Sequence, residues 1–216
     1  ESQIDSAASL FADLMKDDLS GMTISGGEVT LMPVIAQCMI RAATSLDERA
    51  GQFYLAVKEH GSDGQGGGGG EVVGFVLCMP PGEDMFSTPE QRALGYDAFV
   101  RKIPAANKDP YETIFRHQFP SFIARILGPT FKRDCWWVNF LMVHRAYQGQ
   151  HIATQLINLI RKKAKESPDL RPLGLITGTD HNVVFYQRLG FELKGTLMIS
   201  APWGDWPLHV LVLTKP

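Results

Sequence analysis

The sequence predicts a single α/β domain built on one sheet with a crossover helix, and three observations carry that expectation. The C-terminal half alternates strand-like and helix-like stretches in the order β-α-β-α-β-β. Two earlier strand-like stretches flank a glycine run, as a hairpin would. The chain has 216 residues, 44% of them hydrophobic, and no domain-sized linker or internal repeat, which is enough to fill one core.

Each element has a local signal. Apolar residues at Ala8, Leu10, Phe11, Leu14 and Met15 repeat with a helical period over 4–15, and a second such stretch covers 31–43. Residues 52–58 and 71–78 read as strands. Between them His60-Gly61-Ser62-Asp63-Gly64-Gln65 runs into five consecutive glycines, Gly66 to Gly70. Polyglycine loses the most backbone entropy on ordering, so 61–70 is expected to be a flexible connection. A phosphate loop would need a helix N-terminus after it, and here a strand follows. Thr88-Pro89-Glu90 has the form of an N-cap with proline at the first helical position, opening a helix to about residue 102. Phe115, Phe119, Phe122, Ile123 and Ile126 form an apolar face over 111–127, interrupted by Pro120. The remaining expectations are strands at 136–143, 172–177, 191–199 and 208–213, and helices at 151–165 and 182–189.

Composition narrows the function. With 21 basic and 23 acidic side chains, a formal charge of −2 gives no field for nucleic acid or for an anionic membrane. Cys38, Cys78 and Cys135 are odd in number, widely spaced and set in apolar stretches, which points to reduced, buried thiols in a cytoplasmic protein and to no cysteine-based metal site. Glu1-Ser2-Gln3 has no signal-peptide pattern, and a start without Met reads as trimmed.

The most informative stretch runs from Trp136 to Ile157. There a buried strand enters a short polar turn, Gln148-Gly149-Gln150-His151-Ile152-Ala153, and then the N-terminus of an amphipathic helix. Amides left unpaired at such a turn can hold a diphosphate. The segment resembles the acyl-CoA-binding motif of the GNAT-type N-acetyltransferases, with His151 where the family has its central glycine. About thirty residues on, Asn182-Val-Val-Phe-Tyr186-Gln-Arg-Leu-Gly190-Phe191 is similar to a second signature of that family. The resemblance covers 134–200 well and the 52–78 hairpin loosely. It hardly extends to the N-terminal helices or to 83–133.

The resemblance implies a mixed, mostly antiparallel central sheet of six to seven strands flanked by helices, with a helical insertion after the third strand. It also implies acetyl-CoA as cosubstrate and no metal. The backbone of Leu141, Met142 and Val143 would pair with the pantetheine, and Gln148, Gly149, Gln150, His151, Ile152, Ala153 and Thr154 would hold the diphosphate. Asn182 and Phe185 would line the pantetheine, and Tyr186 would be the general acid for the departing thiolate. Thr179 stands where many relatives place a further asparagine, and Asn139 where many place a glutamate base. An amide can orient an amine or a water but takes no proton at neutral pH, which leaves Asp180, His181, Glu83, Asp84 and His144 as candidate bases. The insertion at 83–133 carries Phe86, Tyr96, Phe99, Tyr111, Phe115, Phe119 and Phe122 and would cover the acceptor site, and Trp203 and Trp206 could rim it or mediate a dimer.

The sequence therefore reads as a single-domain acetyltransferase acting on the primary amine of a small molecule, as a monomer or homodimer. A CoA-binding or sensor module of the same fold stays open as the alternative. A Rossmann-type dinucleotide site is disfavoured, because the turn lacks Gly-x-Gly-x-x-Gly.

Overall fold

The computed structural model describes residues 3–45, 51–59, 70–168 and 170–216. The glycine-rich connection and the expectation attached to it therefore lie outside the described residues, apart from Gly70. Three helices open the chain: α1 (Gln3–Met15), α2 (Leu19–Ile24) and α3 (Met32–Thr44). Asp18 caps α2 by accepting from the amides of Ser20 and Gly21, and Pro33 sits in the first turn of α3, where its missing amide costs nothing.

The sheet has six strands in the order β1-β2-β3-β4-β6-β5: β1 (Gln52–Lys58), β2 (Glu71–Met79), β3 (Trp136–Val143), β4 (Leu173–Thr177), β5 (Glu192–Ala201) and β6 (Gly204–Leu213). All neighbours are antiparallel except β3 and β4. This is the expected mixed, mostly antiparallel sheet. The helical insertion, however, follows the second strand and not the third, because the described chain before Gln52 forms helices only.

The insertion contains α4 (Pro89–Ala93), α5 (Tyr96–Lys102), α6 (Ala105–Glu112), α7 (Phe119–Leu127) and α8 (Phe131–Asp134). Thr88 caps α4 as expected, its hydroxyl accepting from the Gln91 amide at 3.2 Å. The single helix expected over 88–102 is instead two. Gly95 has φ +129°, and a Cβ there would lie 2.8 Å from the Cys38 sulfur, so the chain turns where α3 comes close. Pro120 does not break the second helical stretch. A π-turn over Thr113–Gln118 absorbs it, since a wider turn accommodates the missing amide and the ring.

After β3, α9 (Ile152–Glu166) crosses one face of the sheet and α10 (Asp180–Arg188) follows β4. Leu156, Ile157, Ile160 and Ala164 bury one side of α9 against Val76, Cys78, Val138 and Leu175. On the other face Phe11, Ile35 and Met39 pack on Phe75, Leu77 and Phe140. β2 is thus buried on both faces, which explains its almost unbroken apolar run. β6 begins before the expected residue 208 and tolerates Pro207, because β4 joins it only from His209 onward and the proline has one neighbouring strand. No helix among the described residues is long and apolar enough to cross a membrane. All three cysteines are free and buried.

A third cluster joins the insertion to the β5–β6 hairpin through Ile114, Phe119, Phe122, Trp137 and Trp206. One hydroxyl fastens the N-terminal helices to the same hairpin. Thr23, fully buried in α2, accepts from the indole N–H groups of Trp203 (2.9 Å) and Trp206 (2.8 Å) and donates to the Leu19 carbonyl (2.8 Å). Thr23→Val keeps the shape but orphans both indoles. It is expected to cost about 1–3 kcal/mol in a urea unfolding titration, the penalty of a buried donor left unpaired.

Candidate functional site

β3 and β4 pair over three positions: Trp136 with Leu173, Trp137 with Gly174, and Val138 with Leu175. Beyond these, β3 stays with β2 and β4 stays with β6, so the two parallel strands part. The parting starts at a β-bulge. Cys78 pairs with Val138 and Leu77 with Phe140, leaving Asn139 as the extra residue, which bends β3 away. The His144 amide donates to the Val73 carbonyl at 2.8 Å. By strand alternation Met142 and Phe140 also turn their backbone groups to β2, while Leu141 and Val143 turn theirs toward the gap.

A cavity of about 200 Å³ occupies the gap. Its walls include Asn139, Leu141, Met142, Thr177, Asn182 and Tyr186, with Phe115 and Phe119 of the insertion and Met15 of α1. A second cavity of about 640 Å³ shares Ile24, Phe115, Phe119, Asn139 and Ile176 with the first and extends beneath the insertion. Asn139 stands at the junction, and its buried Oδ1 has no hydrogen-bond partner among the described residues.

The turn after β3 lies beyond Val143, at one end of the gap. Tyr147 anchors it, donating to Glu71 (3.0 Å) and accepting from Lys58 (3.2 Å). The Gln148 side chain donates back to the Val143 carbonyl at 3.1 Å and the Gln150 side chain to the Ala146 carbonyl at 3.4 Å, so both glutamines brace the turn. Gly149 has φ +76° and His151 φ +62°, and His151 is the uncapped N-cap of α9. Among the described residues no amide from Gly149 to Thr154 finds an acceptor. These amides lie at the positive end of a fifteen-residue helix, an arrangement whose free donors and dipole suit an anion. His151 therefore adopts the left-handed conformation a glycine would take, and its side chain is exposed.

Tyr186 is buried against Val183 and Phe191 and lines the first cavity. Burial pushes its phenol well above the ordinary tyrosine range, so it keeps its proton at neutral pH. Its hydroxyl bonds none of the described residues. Thr179 caps α10, its hydroxyl accepting from the Asn182 amide at 3.3 Å. The Asn182 side chain instead donates to the Thr177 hydroxyl at 3.0 Å, on the cavity wall. Phe185 packs beside Tyr186 with ring centroids 5.1 Å apart.

Of the five candidate bases, Asp84 lines a cavity, the second one, where it pairs with Lys132. His144 caps the turn through Nδ1, which accepts from the Ala146 amide. Asp180 is exposed, its Oδ1 lying 3.3 Å from Nε2 of buried His209, and Glu83 and His181 line neither cavity. Trp206 lines the first cavity, while Trp203 lines neither and is held by Thr23. Sequence reasoning did not find Arg92, Arg116 or Lys132, all on the second cavity. They belong to no motif and meet only through the packing of the insertion. Cys135 and Cys78 are poor nucleophiles, since burial pushes the first thiol up to about 12 and the second well above its usual range. No group of three or more metal-ligating side chains gathers among the described residues.

Residues 120–193 match the family model described as an acetyltransferase (GNAT) domain, a segment that contains β3, the turn, α9 and Tyr186. Among solved structures, the histone acetyltransferase HPA2 and related acetyltransferase from Corynebacterium glutamicum is 14% identical with a TM-score of 0.58, over 100% of this chain and 94% of that one. Arabidopsis thaliana NAA60 in complex with a bisubstrate analogue is also 14% identical, with a TM-score of 0.50 over 96% and 93%. At that identity the likeness is one of fold. No curated protein matches the sequence. Residues 120–193 are thus similar to a GNAT acetyltransferase domain, and the chain as a whole has the fold of these solved acetyltransferases.

The strain at His151 is measurable. His151→Gly removes a left-handed non-glycine residue but adds unfolded-chain entropy, so the net effect expected in a urea titration is a stabilisation of roughly 0.5–1 kcal/mol. The backbone donors of the turn should be unchanged by the substitution, because they are amides and not the His151 side chain.

Proposed function

We propose that this protein transfers the acetyl group of acetyl-CoA to a primary amine of a small molecule, by direct attack in a ternary complex. One observation carries the reading: among the described residues, the gap between β3 and β4 has six amides without an acceptor at one end and the unpaired oxygen of Asn139, beside Tyr186, at the other. The unpaired amides, the open edge of β3 and the apolar gap all fit a ligand with a diphosphate and an extended arm.

In this reading the amides from Gly149 to Thr154 hold the diphosphate, and the backbone groups of Leu141 and Val143 hold the pantetheine like an added strand. Asn182, Phe185 and the Met142 side chain line its path. Acetyl-CoA supplies the acetyl group as an activated thioester. The amine forms the new C–N bond as the C–S bond breaks, so one proton must leave nitrogen and one must reach sulfur. Asn139 Oδ1 accepts an N–H of the amine and orients its lone pair. The amine proton passes through water to Asp84, the candidate base that lines the acceptor cavity. Tyr186, kept protonated by burial, gives its proton toward sulfur.

Two measurements test this. Tyr186→Phe should lower kcat about 100-fold with little change in acetyl-CoA affinity, as loss of a general acid does. Binding of acetyl-CoA without turnover on any amine, and with no effect of that substitution, would favour a CoA-binding module instead. Asn139→Ala should lower kcat/KM for the amine roughly 10-fold or more, the loss of one hydrogen bond to a buried acceptor.

The pH profile follows from the sign of the tyrosine shift. A raised phenol pKa delays loss of the proton, so the acid remains in its active form up to and beyond pH ~10. The rate should therefore rise from pH 6 to 9.5 as the amine deprotonates. A fall that begins near pH 8 in wild type and persists unchanged in Tyr186→Phe would assign the acid role to a group other than Tyr186.

A further inference from the structure

The second cavity has a charge imbalance that bears on the acceptor. Three cations line it, Arg92, Arg116 and Lys132, against one carboxylate, Asp84, which is tied to Lys132. Arg116 has the exposed Glu112 carboxylate at 3.8 Å. Arg92 is half-buried and spends one N–H on the Phe86 carbonyl at 3.1 Å. No carboxylate among the described residues lies within ion-pair distance of it. The rest of the lining is largely apolar and aromatic, including Phe86 and Tyr96, which stack at 4.0 Å between centroids.

Two backbone irregularities lie on this cavity. Phe86 has φ +59°, a strained setting for an aromatic residue, and Arg92 grips its carbonyl. Arg116 stands on the π-turn, a distortion frequent at functional sites. The strained residue supplies an aromatic wall beside an arginine whose remaining donors keep the planar fork that matches a carboxylate. A polyamine would bring further positive charge into a site with positive charge in excess. An amine carrying its own anion would supply Arg92 with the carboxylate partner that it lacks among the described residues.

We infer that the acceptor is a carboxylate-bearing amine with an apolar body of aromatic size, its carboxylate read by Arg92 with Arg116 and its body held between the insertion and β3. This rests on the proposed transfer reaction, with the amine directed to Asn139.

The test uses the full chain and matched pairs: L-phenylalanine with phenethylamine, L-tryptophan with tryptamine, and spermidine as a polycation. Each is measured for CoA release with acetyl-CoA and, separately, for binding to the CoA-loaded protein by calorimetry. Each acid should exceed its decarboxylated partner at least 10-fold in kcat/KM and in affinity, with spermidine weakest. Arg92→Gln should narrow that ratio at least 10-fold. Arg116→Gln, at a side chain 67% exposed, should narrow it less and guards against a folding defect at Arg92. Acids that bind more tightly without turning over would uphold the inference while removing the transfer reading. Equal binding of acid and decarboxylated partner, tighter binding of spermidine, or an unchanged ratio in both variants would overturn it.

Discussion

The structure depends on two parallel strands that pair for three residues and then separate. Parallel strands buried in a sheet normally pair along their length, since each backbone group left without a partner away from water costs about 1–3 kcal/mol. Here the Asn139 bulge turns β3 aside while β2 holds its other edge in register, and β6 continues to hold β4. The open edge at Leu141 and Val143, the exposed amides after Gly149 and the inward face of Tyr186 are consequences of that separation. A ligand with a diphosphate at one end and an extended arm would satisfy all three, so the feature that weakens the sheet is also the one that the proposed site depends on.

The covers over the gap come from regions distant in sequence. α1 and α2 close one side, the insertion a second, and the β5–β6 hairpin the third, with the Thr23 hydroxyl joining the first of these to the last. These covers give the second cavity its aromatic walls and its cations. In the proposed reading, the sheet backbone would hold the acyl donor and side chains of the added helices would choose the amine.

His151 shows how a motif can change its side chain and keep its physics. The position needs a left-handed residue so that successive amides converge, and glycine meets that need without strain. Histidine is among the residues that tolerate this region, and here it adopts φ +62° with its side chain exposed. Asn139 is a different case. Its amide stands where a carboxylate is expected, at the junction of the cavities, so the proposed reaction needs a separate base, and Asp84 is the candidate that lines the second cavity.

Local pattern by itself determined the strands β1 to β4, helices α1, α3 and α9, the capped start of α4, and the two motifs around Gly149 and Tyr186. Each depends on residues within about fifteen positions of one another, where periodicity and capping act. It misplaced the insertion by one strand and ran α4 and α5 together, because Gly95 turns where a side chain of α3 comes close. It also missed α2, which is six residues long. The parting of β3 and β4, the bulge at Asn139 and the meeting of Arg92, Arg116, Lys132 and Asp84 were decided by tertiary structure alone. A gap exists only once two strands are held by different neighbours, and a charge balance only once helices far apart in the chain enclose one space.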